Sequence, residues 1–299
     1  MTKILEGKSI AEQIKNELKI KTQELINEGN NPPGLAVLLV GENPASQAYV
    51  KSKEKSCLEL GYYSILKRVD ESITETEVLD IIKEWNLNPQ INGILVQLPL
   101  PKHIDENKVI LAIDPIKDVD GFHPENFGRL VIGLDANYPC TPAGIIELLK
   151  RYNIETKGKH CVVLGRSNIV GKPIANLMYQ KHLANSIVTI VHTGTKDFDY
   201  YTKQADILIA AIGVPNLIKS QNIEDGVVII DVGINRIDAD NEKGYKIVGD
   251  VDYNDVFDKC SAITPVPGGV GLMTIAMLMQ NTYNSTLKQQ SVKQTKITN

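Results

Sequence analysis

Residues 161–173 read Cys-Val-Val-Leu-Gly-Arg-Ser-Asn-Ile-Val-Gly-Lys-Pro, an apolar run that breaks into a turn bracketed by Gly165 and Gly171. A strand-to-helix turn of this kind aims backbone N–H groups and the positive end of a helix at one point, which suits an anionic phosphate. Arg166, directly after the first glycine, adds a guanidinium suited to a second, terminal phosphate, so the turn favours NADP over NAD. The strand-like residues 186–192 end in Thr193-Gly194-Thr195-Lys196, with no acid before Asp197. An NAD site usually places an acid near this point for the ribose hydroxyls, whereas hydroxyls and a lysine suit a 2′-phosphate. The glycines depart from G-x-G-x-x-G, and by themselves they also fit a plain surface connection.

A second group of residues could carry proton chemistry. Ser46, Tyr49, Lys53 and Cys57 stand at i, i+3, i+7 and i+11 of a helix expected from about residue 45 to 60, one stripe of its surface, with Lys51, Glu54 and Lys55 pointing elsewhere. For a lone lysine the ordinary reading is a packed stem with its ammonium in water. Three other groups could converge with Lys53 and change that reading. Gln97 is the polar side chain near the end of Gly93-Ile-Leu-Val-Gln-Leu-Pro-Leu-Pro101. A glutamine there needs hydrogen-bond partners, which a lysine, a ligand or the backbone can supply. Asp118 and Asp120 precede Gly121 in Lys117-Asp-Val-Asp-Gly-Phe-His123. They suit a ligand or a simple turn, and lack the spacing and closing Glu of a calcium loop. The stretch Pro265-Val-Pro-Gly-Gly-Val-Gly-Leu-Met-Thr274 lacks the Gly-Lys-[Ser/Thr] of a triphosphate loop. Its glycines let backbone approach a flat ligand closely, or make a hinge.

Alternating elements must position these residues. Ser9 and Glu12 have capping-box spacing, and Ile10, Ile14, Leu18 and Leu25 give an amphipathic helix ending near Gly29. Strands are expected at 35–40, 64–69 and 91–98, with helices at 45–60 and 74–85. Residues from about 102 to 140, rich in Asp, Pro and Gly, read as a connector with short helices, after which Thr141 caps a helix entered at Pro142. A second series places strands near 161–164, 186–191, 207–211 and 227–232. An apolar helix follows from Thr274 to about Tyr283, and the polar tail beyond Thr286 is expected to fray. The pattern is α/β with two domains, an N-terminal open-sheet domain and a Rossmann-like doubly wound domain. We divide the chain as 1–139 plus 272–299 and 140–271, the C-terminal helix packing back on the first domain. Two such units imply a cleft, with ligands outside the carboxyl ends of the strands.

Composition excludes several classes. The 299 residues are 42% hydrophobic but only 5% aromatic, with a net charge of −4, which offers neither stacking surface nor basic field for nucleic acid. Cysteines at 57, 140, 161 and 260 form no C-x-x-C pair, and the five histidines form no H-E-x-x-H, so no metal site or disulfide framework is expected. A charged N-terminus and the lack of a long apolar run point to a soluble, cytoplasmic protein without membrane contact.

Taken together, these segments resemble the bifunctional methylenetetrahydrofolate dehydrogenase/cyclohydrolase family. The matching stretches are Val40-Gly-Glu-Asn-Pro-Ala-Ser-Gln-Ala-Tyr-Val-Lys-Ser-Lys53, Gly93 to Pro101, Lys117 to Pro124, Cys140-Thr-Pro-Ala-Gly144, Gly165 to Pro173, Ile230-Asp-Val-Gly-Ile-Asn235 and Pro265 to Thr274. They occur in the family's order and cover the chain from about residue 3 to 285.

The resemblance implies oxidation of 5,10-methylenetetrahydrofolate with NADP, then hydrolysis of the methenyl product to 10-formyltetrahydrofolate, in one-carbon metabolism. It implies Lys53 as the catalytic amine, Gln97 as the group that tunes it, and Tyr49 stacking on the folate. Asp120 would grip the pterin edge, and Ser46, Pro267, Gly268 and Gly269 would complete the substrate site. Gly165, Arg166, Ser167, Thr193, Ile234 and Thr274 would line the NADP site, and the chain would form a homodimer through its nucleotide-binding domain. An ordinary lysine, with a pKa of about 10.4, is a poor base at neutral pH, so burial must favour its uncharged form.

Two departures stand out. Leu272 replaces the proline common after Gly-Val-Gly, and Thr193-Gly194-Thr195 stands where His-Ser-x-Thr is usual. A hydroxy-acid dehydrogenase of the two-domain NADP type explains residues 161–235 but not Tyr49, Lys53, Gln97 and Asp120. A folate-binding regulator without turnover gives no reason for Lys53.

Overall fold

The computed structural model describes residues 1–241 and 244–297. The chain divides into two compact units, one of residues 12–140 and 275–299, the other of residues 1–11 and 141–274. It opens with a two-residue strand β1 (Lys3–Ile4) and helix α1 (Gly7–Asn27). Then follow β2 (Gly34–Val40), α2 (Pro44–Leu60), β3 (Tyr63–Val69), α3 (Glu75–Leu87) and β4 (Gly93–Val96). These strands form a parallel sheet in the order β3-β2-β4. All seven residues of β2 are buried, as a central parallel strand covered on both faces requires. On α3 the Thr74 hydroxyl accepts the Glu77 N–H while the Glu77 carboxylate accepts the Thr74 N–H, a reciprocal cap. Its buried face, Val78, Ile81, Ile82 and Trp85, packs in one core with Leu38, Ile94 and Val96.

Short helices α4 (Glu106–Ala112) and α5 (Pro124–Val131) follow, and α6 (Cys140–Arg151) leads into the second unit. There the chain alternates through β5 (His160–Leu164), α7 (Gly171–Tyr179), β6 (Ile187–Val191), α8 (Phe198–Thr202), β7 (Ile207–Ala210) and β8 (Val228–Asp231). An antiparallel hairpin of β9 (Asn235–Asp238) and β10 (Tyr245–Val248), the short helix α9 (Tyr253–Val256) and β11 (Ala262–Ile263) precede the long α10 (Val270–Ile297). The main sheet of this unit runs β1-β11-β8-β7-β5-β6, all neighbours parallel. A reversal of strand order around β5 is the doubly wound arrangement expected from the alternation.

Four local expectations need correction. Residues 1–11 belong with the second unit, because β1 pairs with β11 and the Gly7 N–H donates to the Gly268 carbonyl at 2.9 Å. Helix α1 therefore starts before Ser9, whose hydroxyl turns back to the Glu6 carbonyl instead of capping. Thr141 lies inside the first turn of α6, which begins at Cys140, and its hydroxyl meets that of Thr274 at 2.9 Å. Helix α10 continues past Thr286 instead of fraying. Gln289 exchanges two hydrogen bonds with Asn92, and Lys288 pairs with Asp135 at 2.9 Å. From Ile275 onward α10 packs within the first unit, where its Met279 carbonyl accepts the Tyr62 hydroxyl and Asn281 donates to the Val119 and Tyr138 carbonyls. Among the described residues no helix is long and apolar enough to cross a membrane.

Candidate active site

The stripe on α2 is laid down by helical periodicity. Ser46, Lys53 and Cys57 are buried and Tyr49 is half-buried, while Lys51 and Lys55 are exposed and Glu54 is partly so. Lys53 is only 5% exposed, which is unusual for a lysine and costly unless its charge is met or given up. Its Nζ donates to Gln97 Oε1 at 2.9 Å and lies 5.7 Å from the centre of the Tyr49 ring. The Gln97 amide is fixed in turn, because its Nε2 donates to the Leu98 carbonyl at 2.8 Å and its backbone N–H to Leu38. The nearest partner of the buried amine is thus a neutral carbonyl oxygen presented from the carboxyl end of β4. Burial lowers the Lys53 pKa from the ordinary lysine value, and the charge of Asp120 opposes that shift without cancelling it.

Asp120 arrives by a separate route. The Ile94 N–H donates to the Lys117 carbonyl, and Asp118 bridges to Ile94, so this segment runs beside β4 like a further strand. The buried Lys117 anchors it by donating to the Trp85, Asn86 and Asn88 carbonyls at the end of α3, where a cation suits the exposed carbonyls. The two aspartates then divide the work that the sequence left open. Asp118 makes the turn, accepting from the Gly121 and His123 N–H groups and from Asn126. Asp120 remains partly exposed, and its pKa is raised by burial against the pull of the Lys53 charge. Cys140 escaped the sequence reading as a site residue. Its buried thiol bonds Asp120 and lies 3.3 Å from the Val119 carbonyl oxygen. The motif around Cys140 was visible, but its contact with Asp120 is made only through the fold.

The second unit builds the glycine turn. At Gly165, with φ of +117°, an added Cβ would fall 2.2 Å from the Ala211 carbonyl oxygen, and at Gly171 one would fall 2.3 Å from that of Gly165. Both glycines are therefore required by close backbone approach. The Ser167 hydroxyl oxygen accepts the Val170 and Gly171 N–H groups at 3.1 and 3.2 Å, which leaves its own proton to donate outward. Arg166 and Ser167 are exposed in the turn that leads into α7. The Gly165 N–H donates to the Val191 carbonyl, so the turns after β5 and β6 are neighbours, and Thr193 is exposed on the second. Ile234, 59% exposed, follows β8 at the same edge of the sheet. This edge fits a dinucleotide with an extra phosphate: a cradle that a Cβ would fill, an outward hydroxyl and a free-standing guanidinium.

Pro267, Gly268, Gly269 and Thr274 also lie in this second unit, not with Lys53. Gly269 is buried, and a Cβ there would meet the Pro265 carbonyl oxygen at 2.6 Å, so its smallness serves packing of its own loop. Leu272 lies in the first turn of α10, where its N–H reaches the Gly269 carbonyl at 3.4 Å, a bond that a proline would lack. Two buried carboxylates were also missed. Asp231 ends β8, and burial, with the Asp250 charge adding to it, pushes its pKa up to about 7 against three backbone N–H donors. No group of three or more metal-binding side chains occurs among the described residues.

The sequence profile for the tetrahydrofolate dehydrogenase/cyclohydrolase catalytic domain matches residues 5–120, and that for its NAD(P)-binding domain matches residues 139–290. The chain belongs to this family. It is 59% identical over 286 residues to the bifunctional protein FolD of Chloroherpeton thalassium, covering 94% of this chain and 97% of the relative. The crystal structure of the bifunctional FolD enzyme of Campylobacter jejuni is 49% identical and superposes with a TM-score of 0.91, covering 97% of this chain and all of that one. The FolD of Trypanosoma brucei, solved with NADP and an inhibitor, is 33% identical with the same TM-score of 0.91, covering 96% and 98% of the two chains. The tetrahydrofolate dehydrogenase/cyclohydrolase assignment spans both units, so the lysine cluster and the glycine turn belong to one enzyme family.

Proposed function

We propose that this chain oxidises 5,10-methylenetetrahydrofolate with NADP and hydrolyses the resulting methenyl cation to 10-formyltetrahydrofolate, with Lys53 as the proton-transfer group. The observation that carries the assignment of Lys53 is its burial beside a neutral acceptor, Gln97 Oε1, at 2.9 Å.

In the first reaction the lone pairs of the folate nitrogens drive departure of a hydride from the bridging methylene carbon. The protein's task is positioning. Tyr49 stacks on the folate, Asp120 accepts a charge-assisted pair of hydrogen bonds from the pterin edge, and Ser46, Pro267, Gly268 and Gly269 contribute further contacts. NADP, when bound, supplies the acceptor for that hydride. Gly165 and Ser167 hold its phosphates, Arg166 and Thr193 favour its 2′-phosphate, and Ile234 and Thr274 flank it.

In the second reaction water adds to the methenyl carbon and gives up a proton to the uncharged Lys53 amine. A second proton passes from the new hydroxyl to the departing ring nitrogen as that carbon–nitrogen bond breaks, leaving the formyl group. The cationic substrate adds to burial in disfavouring the ammonium form of Lys53.

We also propose a homodimer joined through the second unit, in a reducing compartment such as the cytoplasm. Strand β6 is the edge of the six-stranded sheet and exposes Ile187 at 62% and Ile190 at 44%, a template for pairing with a second copy. The four unpaired, buried cysteines agree with that compartment.

Three outcomes are expected. Lys53→Met lowers cyclohydrolase turnover by about 10²–10⁴-fold, read from the loss of methenyltetrahydrofolate absorbance, while NADP binding persists; full activity would remove Lys53 from the mechanism. Gln97→Glu puts a carboxylate against the amine and favours its charged form. Since the neutral amine is the base and accumulates as pH rises, the rising limb of the cyclohydrolase pH profile then moves to higher pH; an unmoved limb contradicts the pairing. Sedimentation equilibrium reads a dimer for the native chain and a monomer for Ile190→Lys, and a monomeric native chain would refute the assembly.

A further inference from the structure

The loops that follow β7 and β8 are held by two buried carboxylates that come from distant points of the sequence. Asp231, the last residue of β8, accepts the N–H groups of Gly233, Asp250 and Val251 at 3.0, 2.9 and 3.0 Å. Asp250, fully buried, follows the hairpin strand β10. Its Oδ2 accepts the N–H groups of Ile212 and Gly213 at 2.7 and 2.9 Å, and its Oδ1 accepts Asn235 Nδ2 at 2.9 Å. One carboxylate therefore ties the turn after β7 to the far end of the loop after β8. Ile234 sits between the two anchored residues, Gly233 held by Asp231 and Asn235 held by Asp250. The turn after β7 in turn abuts the glycine turn, since the Ala211 carbonyl oxygen is what a Cβ on Gly165 would strike.

We infer that Asp250 is a positioning residue for the dinucleotide: it fixes residues 211–213 and Ile234 against the Gly165 turn. The inference rests on the reading of that turn as the NADP site. A buried carboxylate with three donors is a rigid clamp, and loss of one acceptor oxygen loosens the part-buried bonds by which it holds the Ile212 and Gly213 N–H groups or the Asn235 amide. In Asp250→Asn the carboxylate charge that strengthens all three bonds is lost, and the remaining oxygen can serve the Ile212 and Gly213 N–H groups only if the Asn235 amide turns over to accept from the new nitrogen.

The test uses the full chain and two readouts. NADP is titrated calorimetrically, and cyclohydrolase turnover is measured without cofactor, since that reaction needs none and reports that the Lys53 site still works. Asp250→Asn is expected to weaken NADP binding about tenfold or more while cyclohydrolase turnover stays within about twofold. NADP affinity unchanged within twofold overturns the inference. If Asp250→Asn loses both readouts through misfolding, Asn235→Ala, which removes a single bond of the clamp, decides: about threefold weaker NADP binding supports the clamp, and unchanged binding refutes it. Arg166→Ala separates the two claims. If it weakens NADP binding and the clamp variants do not, only the role of Asp250 falls. If Arg166→Ala also leaves binding unchanged, the reading of the turn falls and this inference with it.

Discussion

A lysine buried against a neutral amide is the constraint around which the first unit is arranged. An ammonium removed from water costs several kcal/mol unless an opposite charge or several acceptors compensate. Lys53 has one close acceptor, Gln97 Oε1, and a more distant aromatic ring, with the Asp120 charge acting on it electrostatically. The balance lowers the pKa of the amine from the ordinary lysine value. Had a carboxylate stood at the Gln97 position, the same burial would have favoured an ion pair and kept the amine charged to higher pH.

The supporting structure makes sense in those terms. Strand β4 is short and fully buried, and it delivers Gln97 at its end with the amide locked by the Leu98 carbonyl. Lys117 holds the neighbouring segment to the end of α3, so that Asp118 can close the turn and Asp120 is left available. Helix α2 contributes Lys53 and Tyr49 from one stripe, with Val50 and Leu60 buried and Leu58 exposed on its outer side. The second unit follows a different logic, in which backbone approach at Gly165 and Gly171 forms a turn and buried carboxylates hold the loops around it.

Much of this was legible because it depends on local periodicity. The i, i+3, i+7 spacing located the covered face of α2, and the isolated polarity of Gln97 within an apolar run marked it before any fold was known. Strand and helix alternation gave the two parallel sheets. What was not legible depends on residues that meet only in three dimensions. Nothing near Asp118 and Asp120 distinguishes the turn-former from the carboxylate left outside the turn, because the Asn126 partner of Asp118 comes from α5. Asp231 and Asp250 stand nineteen residues apart and meet through backbone N–H groups that no side-chain pattern encodes. Strand β1 is two residues long and exists only because β11 offers an edge, and α10 outlasts its apolar stretch because Gln289 finds Asn92.

The most direct measurement is an NMR titration of the Lys53 side-chain nitrogen in isotopically labelled protein, its signal assigned by its loss in a Lys53 variant. The account predicts a midpoint below the ordinary lysine value of 10.5. A midpoint at or above that value would mean the buried amine keeps its proton, and the proposed base would not exist.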